Sequence, residues 1–313
     1  MKSIAERIEK IEFGSYSACI NLSRGANCIS LRNERYKAKI LRELDYSKEL
    51  DNPYLYGMPI LYPANRISNG KFTFEGREYK FPVNEAHTNC HIHGELHSME
   101  FELVEHGYDY IICKYESNGN YLNFPHEFKI CIKYKLSDEG LYQETEIENL
   151  STENMPNLLA YHTTFNIPFI RGNYSSDITV LTDVGDEIER DMSVYLPTGK
   201  ILPVDDITKK LNEGNFNPFK TMLSRHYKAN NQGRIEITDH ENKIKIVYKN
   251  DSKFNFRLIY NGNADEYICI EPMNCMVDFL NTDFDSDYDG FDYIEPGKSK
   301  KYTSEIYLEE LNI

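Results

Sequence analysis

Apolar and polar residues alternate with a period of two along much of this chain, and this pattern constrains its fold more than any other feature. Successive side chains of a β-strand point to opposite faces, so strict alternation predicts strands that bury one face. Polar turns that carry Gly, Asn or Asp separate the alternating segments. The clearest segments are residues 99–105, 108–117, 127–136, 141–149, 234–239, 243–250 and 254–260. The sequence therefore predicts an all-β protein.

Two segments outside these strands also have a recognisable pattern. Residues 71–81 are typical of a hairpin that closes at Glu75-Gly76. The acidic run at residues 283–293 lacks the closing glutamate of a Ca²⁺-binding loop, so we interpret it as a solvated loop.

Helical periodicity is weak in this chain. Only residues 1–12 and residues 205–214 are typical of short helices, the second of which would end at Gly214. No linker and no change in composition divides the sequence. Many strands with one or two short helices predict a large antiparallel β-sandwich, in one domain that covers residues 1–313.

The charge balance and the cysteines indicate the setting in which the protein works. Lys and Arg total 35 against 50 Asp and Glu, a net charge of −15. Such a surface repels phosphate backbones and anionic lipids, so we expect no nucleic acid or membrane partner. We find neither a membrane-spanning apolar run nor the apolar core of a signal peptide. Seven scattered cysteines without a Cys-x-x-Cys pair favour reduced thiols in a cytoplasmic protein.

Residues 82–98 are rich in histidine and raise the question of a metal site. His91 and His93 would share one face of a strand, a geometry that can bind Zn²⁺. The sequence has no HExxH motif, no second His-x-His pair and no paired cysteines to complete such a site. We therefore expect no metal, and we expect His87 and His97 to be loop or surface residues.

Three polar residues or pairs interrupt apolar stretches. His162 lies in NLLAYHTTFNIPF, and Glu271 follows the apolar run Tyr-Ile-Cys-Ile. A buried carboxylate is unfavourable unless it is paired or functional, and burial also disfavours a charged histidine. Asn65-Arg66 follows another apolar run, and the guanidinium fork suits hydroxyls and carboxylates. Each of these residues could equally be structural, as a satisfied core histidine or part of an ion pair.

Taken in order, these segments resemble the aldose 1-epimerase (galactose mutarotase-like) family. The resemblance spans residues 57–297. The similar segments are GMPILYPANRISNG, FPVNE, the His93-Gly94 pair, YHTTFN around His162, YLPTGKILPV, ICIEPMNC around Glu271, and IEPGKS. It implies a single-domain β-supersandwich with a sugar-binding cleft.

The resemblance also implies roles for individual residues. His162 matches the catalytic acid of the family and Glu271 its catalytic base, while Arg66 and His93 match substrate-binding positions. Asn65 is a further candidate because it adjoins Arg66. Strand alternation adds His91, which would line or support the same cleft if the local chain is a strand.

The chemistry of this family agrees with such a pair. A base takes the proton from the C1 hydroxyl of the sugar, an acid protonates the ring oxygen, and the ring recloses after rotation about C1–C2. A carboxylate and an imidazolium on opposite sides of the acetal carbon suit this reaction near neutral pH. The reaction needs no metal, nucleotide or redox cofactor, and we expect none.

One region departs from the family pattern. Active members usually carry an aspartate that binds sugar hydroxyls, whereas residues 222–230 place Ser224, Arg225 and His226 near that position. A cation there, with Arg225 as the main candidate, would favour an acidic or phosphorylated sugar. A phosphate prefers several cations, and Lys220 and Lys228 could add to Arg225 unless all three are ordinary surface charges.

Three functions remain open at this point. They are an aldose 1-epimerase acting on a free monosaccharide, a hexose-6-phosphate 1-epimerase, and a carbohydrate-binding or regulatory protein without turnover. A glycoside hydrolase is disfavoured because it needs two carboxylates and Glu271 is the single well-placed candidate. A monomer and a homodimer are both compatible with the sequence.

Overall fold

Antiparallel strands make up most of this protein. The structure is a computed structural model that describes residues 6–44, 52–170, 177–230, 233–262, 264–284, 288 and 290–311. The strands in chain order are β1 Ile8–Phe13, β2 Tyr16–Asn21, β3 Asn27–Asn33, β4 Ala38–Lys39, β5 Ile60–Leu61, β6 Arg66–Ser68, β7 Lys71–Phe74, β8 Arg77–Lys80, β9 Cys90–Ile92, β10 Glu102–His106, β11 Tyr110–Ser117, β12 Phe128–Ser137, β13 Gly140–Asn149, β14 Met155–Pro156, β15 Ala160–Tyr161, β16 Thr163–Asn166, β17 Ile178–Thr182, β18 Val184–Asp191, β19 Leu196–Leu202, β20 Ser224–Ala229, β21 Arg234–Asp239, β22 Ile244–Asn250, β23 Phe256–Tyr260, β24 Tyr267–Met273, β25 Tyr293–Ile294 and β26 Ser299–Glu310. The helical segments are α1 Asp206–Glu213 and the 3₁₀ turns Pro53–Leu55, Leu96–Ser98 and Phe279–Asn281.

Two large sheets form the body of the fold. One has the strand order β10-β11-β12-β13-β26-β22-β21-β17. The other has the order β19-β18-β20-β23-β24-β15-β5, with β16 also paired to β24. We call the second one the site sheet. A smaller, separate sheet is formed by the first four strands, in the order β1-β2-β3-β4. The predicted all-β, antiparallel fold is confirmed.

The two large sheets pack against each other through buried aromatic side chains. The rings of Phe165 and Tyr248, one from each sheet, have centroids 5.4 Å apart. Thr163 Oγ1 lies 2.9 Å from the Tyr248 hydroxyl. In the first sheet β12 buries every second residue, with its apolar side chains inward, whereas β24 of the site sheet is buried along its whole length. This packing is the β-sandwich arrangement that the alternating pattern indicates.

The predicted hairpin and the second predicted helix are both present. Strands β7 and β8 pair in register, and Gly76 takes a positive φ of 78° in the turn between them. Helix α1 begins after Asp205, whose side chain accepts a hydrogen bond from Thr208 N. It ends at Gly214, which has a left-handed φ of 73°.

The helix predicted for residues 1–12 is wrong over the part that the structure describes. Residues 8–13 form β1, which pairs with β2 along its whole length. The spacing of Ile8 and Ile11 suits one face of a helix, but hydrogen bonding to β2 outweighs this weak local signal. Residues 1–5 lie outside the described residues, as do residues 285–287 and 289 of the acidic run.

Two observations concern the membrane and the thiols. Within the described ranges, no helix combines the length and the apolarity that crossing a bilayer requires. All seven cysteines have free thiols, and five of them are buried.

Candidate active site

A cleft of about 750 Å³ opens over one face of the site sheet. The sheet supplies the cleft with Arg190, Ser224, Leu258, Tyr260 and Glu271. Strand register explains why these side chains meet: Leu258 lies opposite Glu271, and Ser224 lies opposite Tyr260. Directly opposed residues of antiparallel strands point to the same face.

Glu271 and His162 contact each other in this cleft. Glu271 lies in β24, where every residue is buried, and His162 occupies the break between β15 and β16. The backbone N–H of His162 donates to the Pro59 carbonyl at 2.9 Å, which fixes that break. His162 Nε2 lies 3.3 Å from Glu271 Oε1, and the two side chains are only 6% and 3% exposed.

Burial shifts the protonation of both groups toward their neutral forms. It raises the pKa of Glu271 to about 8, although the positive charges of Arg190 and Arg66 act in the opposite direction. It lowers the pKa of His162 to about 4. Between these values the pair holds one proton. A bifunctional proton transfer requires one acid and one base, and a pair that holds one proton supplies both.

The sequence led us to expect the acid and the base on opposite sides of the acetal carbon. The structure instead places them side by side. This arrangement is still suited to anomerisation, since the C1 hydroxyl and the ring oxygen are bonded to the same carbon. Adjacent groups can reach both oxygens from one direction.

Arg66 is held rigidly at the wall of the cleft. Its Nε and Nη2 donate to the two carboxylate oxygens of Glu85, each at 2.7 Å. The ring of Tyr195 lies under the guanidinium at 4.6 Å. Asn65, in a left-handed conformation with φ of 52°, accepts a hydrogen bond from Arg66 N through Oδ1. Burial alone would raise the pKa of Glu85. The hydrogen bonds from Arg66 and the Thr88 hydroxyl outweigh burial and hold that pKa below its usual value.

His93 faces the cleft because β9 ends just before it. It takes a φ of 64°, and Gly94 follows with a φ of 62°. Its ring lies 5.4 Å from that of His162 and 4.6 Å from that of Tyr54, measured between centroids. Burial holds the pKa of His93 well below its usual value, so a neutral imidazole lines the cleft.

His91 is not in the cleft. Its Nδ1 lies 2.8 Å from the Pro82 carbonyl oxygen, and its ring packs 5.1 Å from Phe81. The expectation that His91 and His93 share a strand face is wrong, because His93 lies beyond β9 with a left-handed backbone. His91 is placed to support the strand beneath His93 instead. Over the described part of the chain, no cluster of three or more His, Cys, Asp or Glu could hold a metal ion.

Arg225 is also outside the cleft, which corrects the expectation that it faces the substrate. It points away from Ser224, its neighbour on β20, because adjacent strand residues face opposite sides. Its guanidinium pairs with Glu187 and Asp205, both at 2.8 Å. Lys220 and Lys228 do not line the cleft either.

The lining residues that were not recognised as cleft residues from the sequence include Tyr54, Glu85, His87, Arg190 and Tyr195. His87 is an exposed loop residue, as expected, but it borders the cleft. Arg190 could have been found from strand alternation, because it follows Ile188 by two residues and so shares its strand face. Both residues are buried on β18. The others come from loops and short turns, which have no periodicity to indicate their direction.

Comparisons with known proteins agree with this fold. The aldose 1-epimerase family profile matches residues 10–307. Galactose mutarotase of Rattus norvegicus is 25% identical over 163 residues, which are 49% of this chain and 44% of that protein. The uncharacterized protein YihR of Escherichia coli is 23% identical over 79% of this chain and 78% of its own length. The chain thus matches less than half of the rat enzyme.

Solved structures extend the similarity over nearly the whole chain. A galactose mutarotase-like protein from Clostridium acetobutylicum superposes with a TM-score of 0.89 at 26% identity, over 98% of this chain and 99% of that one. An aldose epimerase homologue from C. elegans superposes with a TM-score of 0.77 at 16% identity, over 98% and 100% of the two chains. This chain belongs to the aldose 1-epimerase family.

Proposed function

We propose that this protein is an aldose 1-epimerase that interconverts the α and β anomers of a monosaccharide through Glu271 and His162. The observation that carries the proposal is the 3.3 Å contact between these two side chains in a buried cleft. Membership of the family and the similarity to galactose mutarotases support it.

In the proposed reaction the pair accepts one proton from the sugar and donates another to it. Glu271 as carboxylate takes the proton of the C1 hydroxyl while His162 as imidazolium gives its proton to the ring oxygen. The C1–O5 bond breaks and leaves an open-chain aldehyde, with Glu271 protonated and His162 neutral. Rotation about C1–C2 and the reverse transfers close the other anomer. Burial favours the neutral pair, which is the form that accompanies the open-chain aldehyde.

The remaining cleft residues would hold the sugar. Arg66, fixed by Glu85 and Tyr195, keeps one orientation in which its remaining donors can meet sugar hydroxyls. Neutral His93 can donate from one ring nitrogen or accept at the other. Asn65 has its Oδ1 on Arg66 N, so its amide N–H groups are the ones it could offer. Tyr54 presents an aromatic face on which a sugar ring can pack.

The test is polarimetry on freshly dissolved α-D-glucose and α-D-galactose. We expect the wild type to speed the approach to equilibrium far above a buffer blank. Glu271→Gln and His162→Asn should each lower that rate by at least about 10²-fold, the typical contribution of a general acid or base. Glu139→Gln, in the exposed turn between β12 and β13, is the matched control and should keep the wild-type rate. Full activity in Glu271→Gln would refute the proposed mechanism.

A further inference from the structure

Arg190 places a positive charge in the floor of the cleft without a carboxylate partner. It lies on β18, lines the cleft, and is only 8% exposed. Its Nη2 donates to the backbone oxygen and to Oγ of Ser224, the latter at 3.0 Å. Among the described residues, no ion pair links this guanidinium to an Asp or Glu. Burying a charge without a counterion is unfavourable, so its presence here calls for a functional explanation.

The other arginines near the site are neutralised by the protein itself. Arg66 forms a bidentate pair with Glu85, and Arg225 is bound by Glu187 and Asp205. The Glu271–His162 pair is neutral overall when it holds one proton. Arg190 is therefore the excess cation of the cleft in this protonation state.

Of the other groups around Arg190, Glu187 acts on it through space, but the Glu187 carboxylate is hydrogen-bonded to Arg225. His226, on the neighbouring strand β20, is fully buried, and burial followed by the charge of Arg190 keeps its pKa well below the usual value. Met192 and Met222 line the same cleft as exposed apolar side chains. The positive charge of Arg190 acts through space to lower the pKa of Glu271, but Glu271 Oε1 is in contact with His162.

Arg190 and Ser224 together present hydrogen-bond donors to the cleft. Because the Ser224 hydroxyl oxygen accepts from Arg190, its own proton is free to point elsewhere. A planar guanidinium beside a hydroxyl matches the two oxygens of a carboxylate. A phosphate dianion would call for several cations, and Lys220, Lys228 and Arg225 all lie outside the cleft.

We propose that Arg190 and Ser224 bind the carboxylate of the substrate, and that the preferred sugar is a hexuronate rather than a neutral aldose. This inference rests on the proposed function, since it names the substrate class for the same cleft. The net charge of −15 does not oppose it. Surface charges are screened beyond about 8 Å at physiological ionic strength, so the groups that line the cleft decide recognition.

Binding can be tested separately from catalysis with methyl glycosides, which cannot open their rings. Methyl β-D-glucuronide and methyl β-D-glucoside differ in having a carboxylate or a CH₂OH group at C5. Isothermal titration of the wild type should show the glucuronide binding about tenfold tighter or more, the ratio that one charge-assisted hydrogen bond provides. Arg190→Met should abolish that preference, and Arg190→Lys, which keeps the charge but loses the planar fork, should retain part of it.

Two further variants control this experiment. Ser224→Ala removes one donor and should reduce the preference even if Arg190→Met does not fold. Arg35→Met removes an exposed arginine that pairs with Glu310 and should leave the preference unchanged. Equal binding of the two glycosides by the wild type, or an unchanged preference in folded Arg190→Met, would overturn the carboxylate site.

The catalytic part uses exchange spectroscopy on the anomeric protons of D-glucuronate and D-glucose. The ratio of their kcat/KM values should favour glucuronate about tenfold or more and fall in Arg190→Met. A change in Glu271 alone would alter both rates together and leave the ratio unchanged. If neither sugar exchanges faster than the blank while the glucuronide still binds tighter, the proposed epimerase function fails and the carboxylate site stands.

Discussion

A carboxyl group and an imidazole buried in contact make the proposed activity depend on how many protons they share. Below about pH 4, both Glu271 and His162 are protonated and the pair has no base. Above about pH 8, both are deprotonated and it has no acid. We therefore expect the pH profile of kcat/KM to be bell-shaped, with flanks at about pH 4 and about pH 8 that belong to the pair as a unit. Polarimetry at fixed low buffer concentration checks this. A single flank near the usual pKa of histidine would contradict it.

The raised pKa of Glu271 also makes the stability of the fold depend on pH. The folded state keeps a proton that the unfolded state releases, so this stabilising contribution is complete below the usual carboxyl pKa. It is lost as pH rises through about 8. Glu271→Gln keeps the shape but cannot ionise, and at pH 9 it should be more stable than the wild type by about 1–3 kcal/mol.

Urea unfolding followed by circular dichroism measures this difference at pH 5 and pH 9. At pH 5 the two proteins should differ little, because the folded wild type is then also uncharged at this position. Glu139→Gln changes an exposed carboxyl and should show no comparable pH dependence. An equal difference between wild type and Glu271→Gln at both pH values would contradict the burial argument.

At the level of elements, the end of β9 sets the position of His93. Gly94 follows with a φ of 62°, and an added Cβ would collide with the Tyr62 carbonyl oxygen. Gly94→Ala should therefore destabilise the fold by about 2 kcal/mol or more and reduce activity, because both the backbone conformation and the close contact are lost. Gly76→Ala is the matched control, since Gly76 has a φ of 78° and open space around its Cβ position.

The comparison needs thermal unfolding and polarimetry on both variants. Gly76→Ala carries only the backbone strain, about 1 kcal/mol, and its hairpin turn does not line the cleft. Its activity should match the wild type. If the two variants lost the same stability and the same activity, the contact with Tyr62 would have no role in placing His93.

Elements differ in how well the sequence predicts them. Long strands such as β12 and β13 alternate over ten residues each, and their pattern predicts both their existence and their inward faces. Strands of two or three residues, such as β5 and β9, are too short to alternate visibly. Their partners β15 and β6 are equally short, so these strands form where the tertiary fold brings two short segments together. Residues 8–13 show the opposite error, in which a helix-like spacing is overridden by strand pairing.

The same distinction applies to the candidate site. Glu271 and His162 stood out because each interrupts an apolar strand, and the structure brings them together. The face of Arg225 could not be judged without knowing that β20 turns Ser224 toward the cleft. The prediction placed His91 in the cleft because it assumed that the strand continues through His93. The left-handed backbone of His93 ends that alternation, and a non-glycine residue gives no sequence signal for such a backbone. The sequence identified the proposed reacting groups better than the groups that surround them.

On the scale of the whole molecule, the two halves of the chain are interleaved in both large sheets. The late strand β26 lies between β13 and β22, and so joins the early strands of its sheet to β21 and β22. In the site sheet, the early strand β5 pairs with β15, which pairs with β24. The sheets are also joined across the core, where Arg257 of β23 donates to Thr182 of β17 at 2.8 Å.

This interleaving leads us to propose that the chain unfolds as one domain. No part of either sheet can detach without exposing the buried faces of strands from the other half, so partial unfolding should be unfavourable. We expect a single urea transition that coincides for far-UV circular dichroism and tyrosine fluorescence, the latter usable because the chain has 24 Tyr and no Trp. Glucuronate, if it binds as proposed, should shift both curves together to higher urea. Two separated transitions, or a ligand shift confined to one probe, would show that the chain contains units of independent stability.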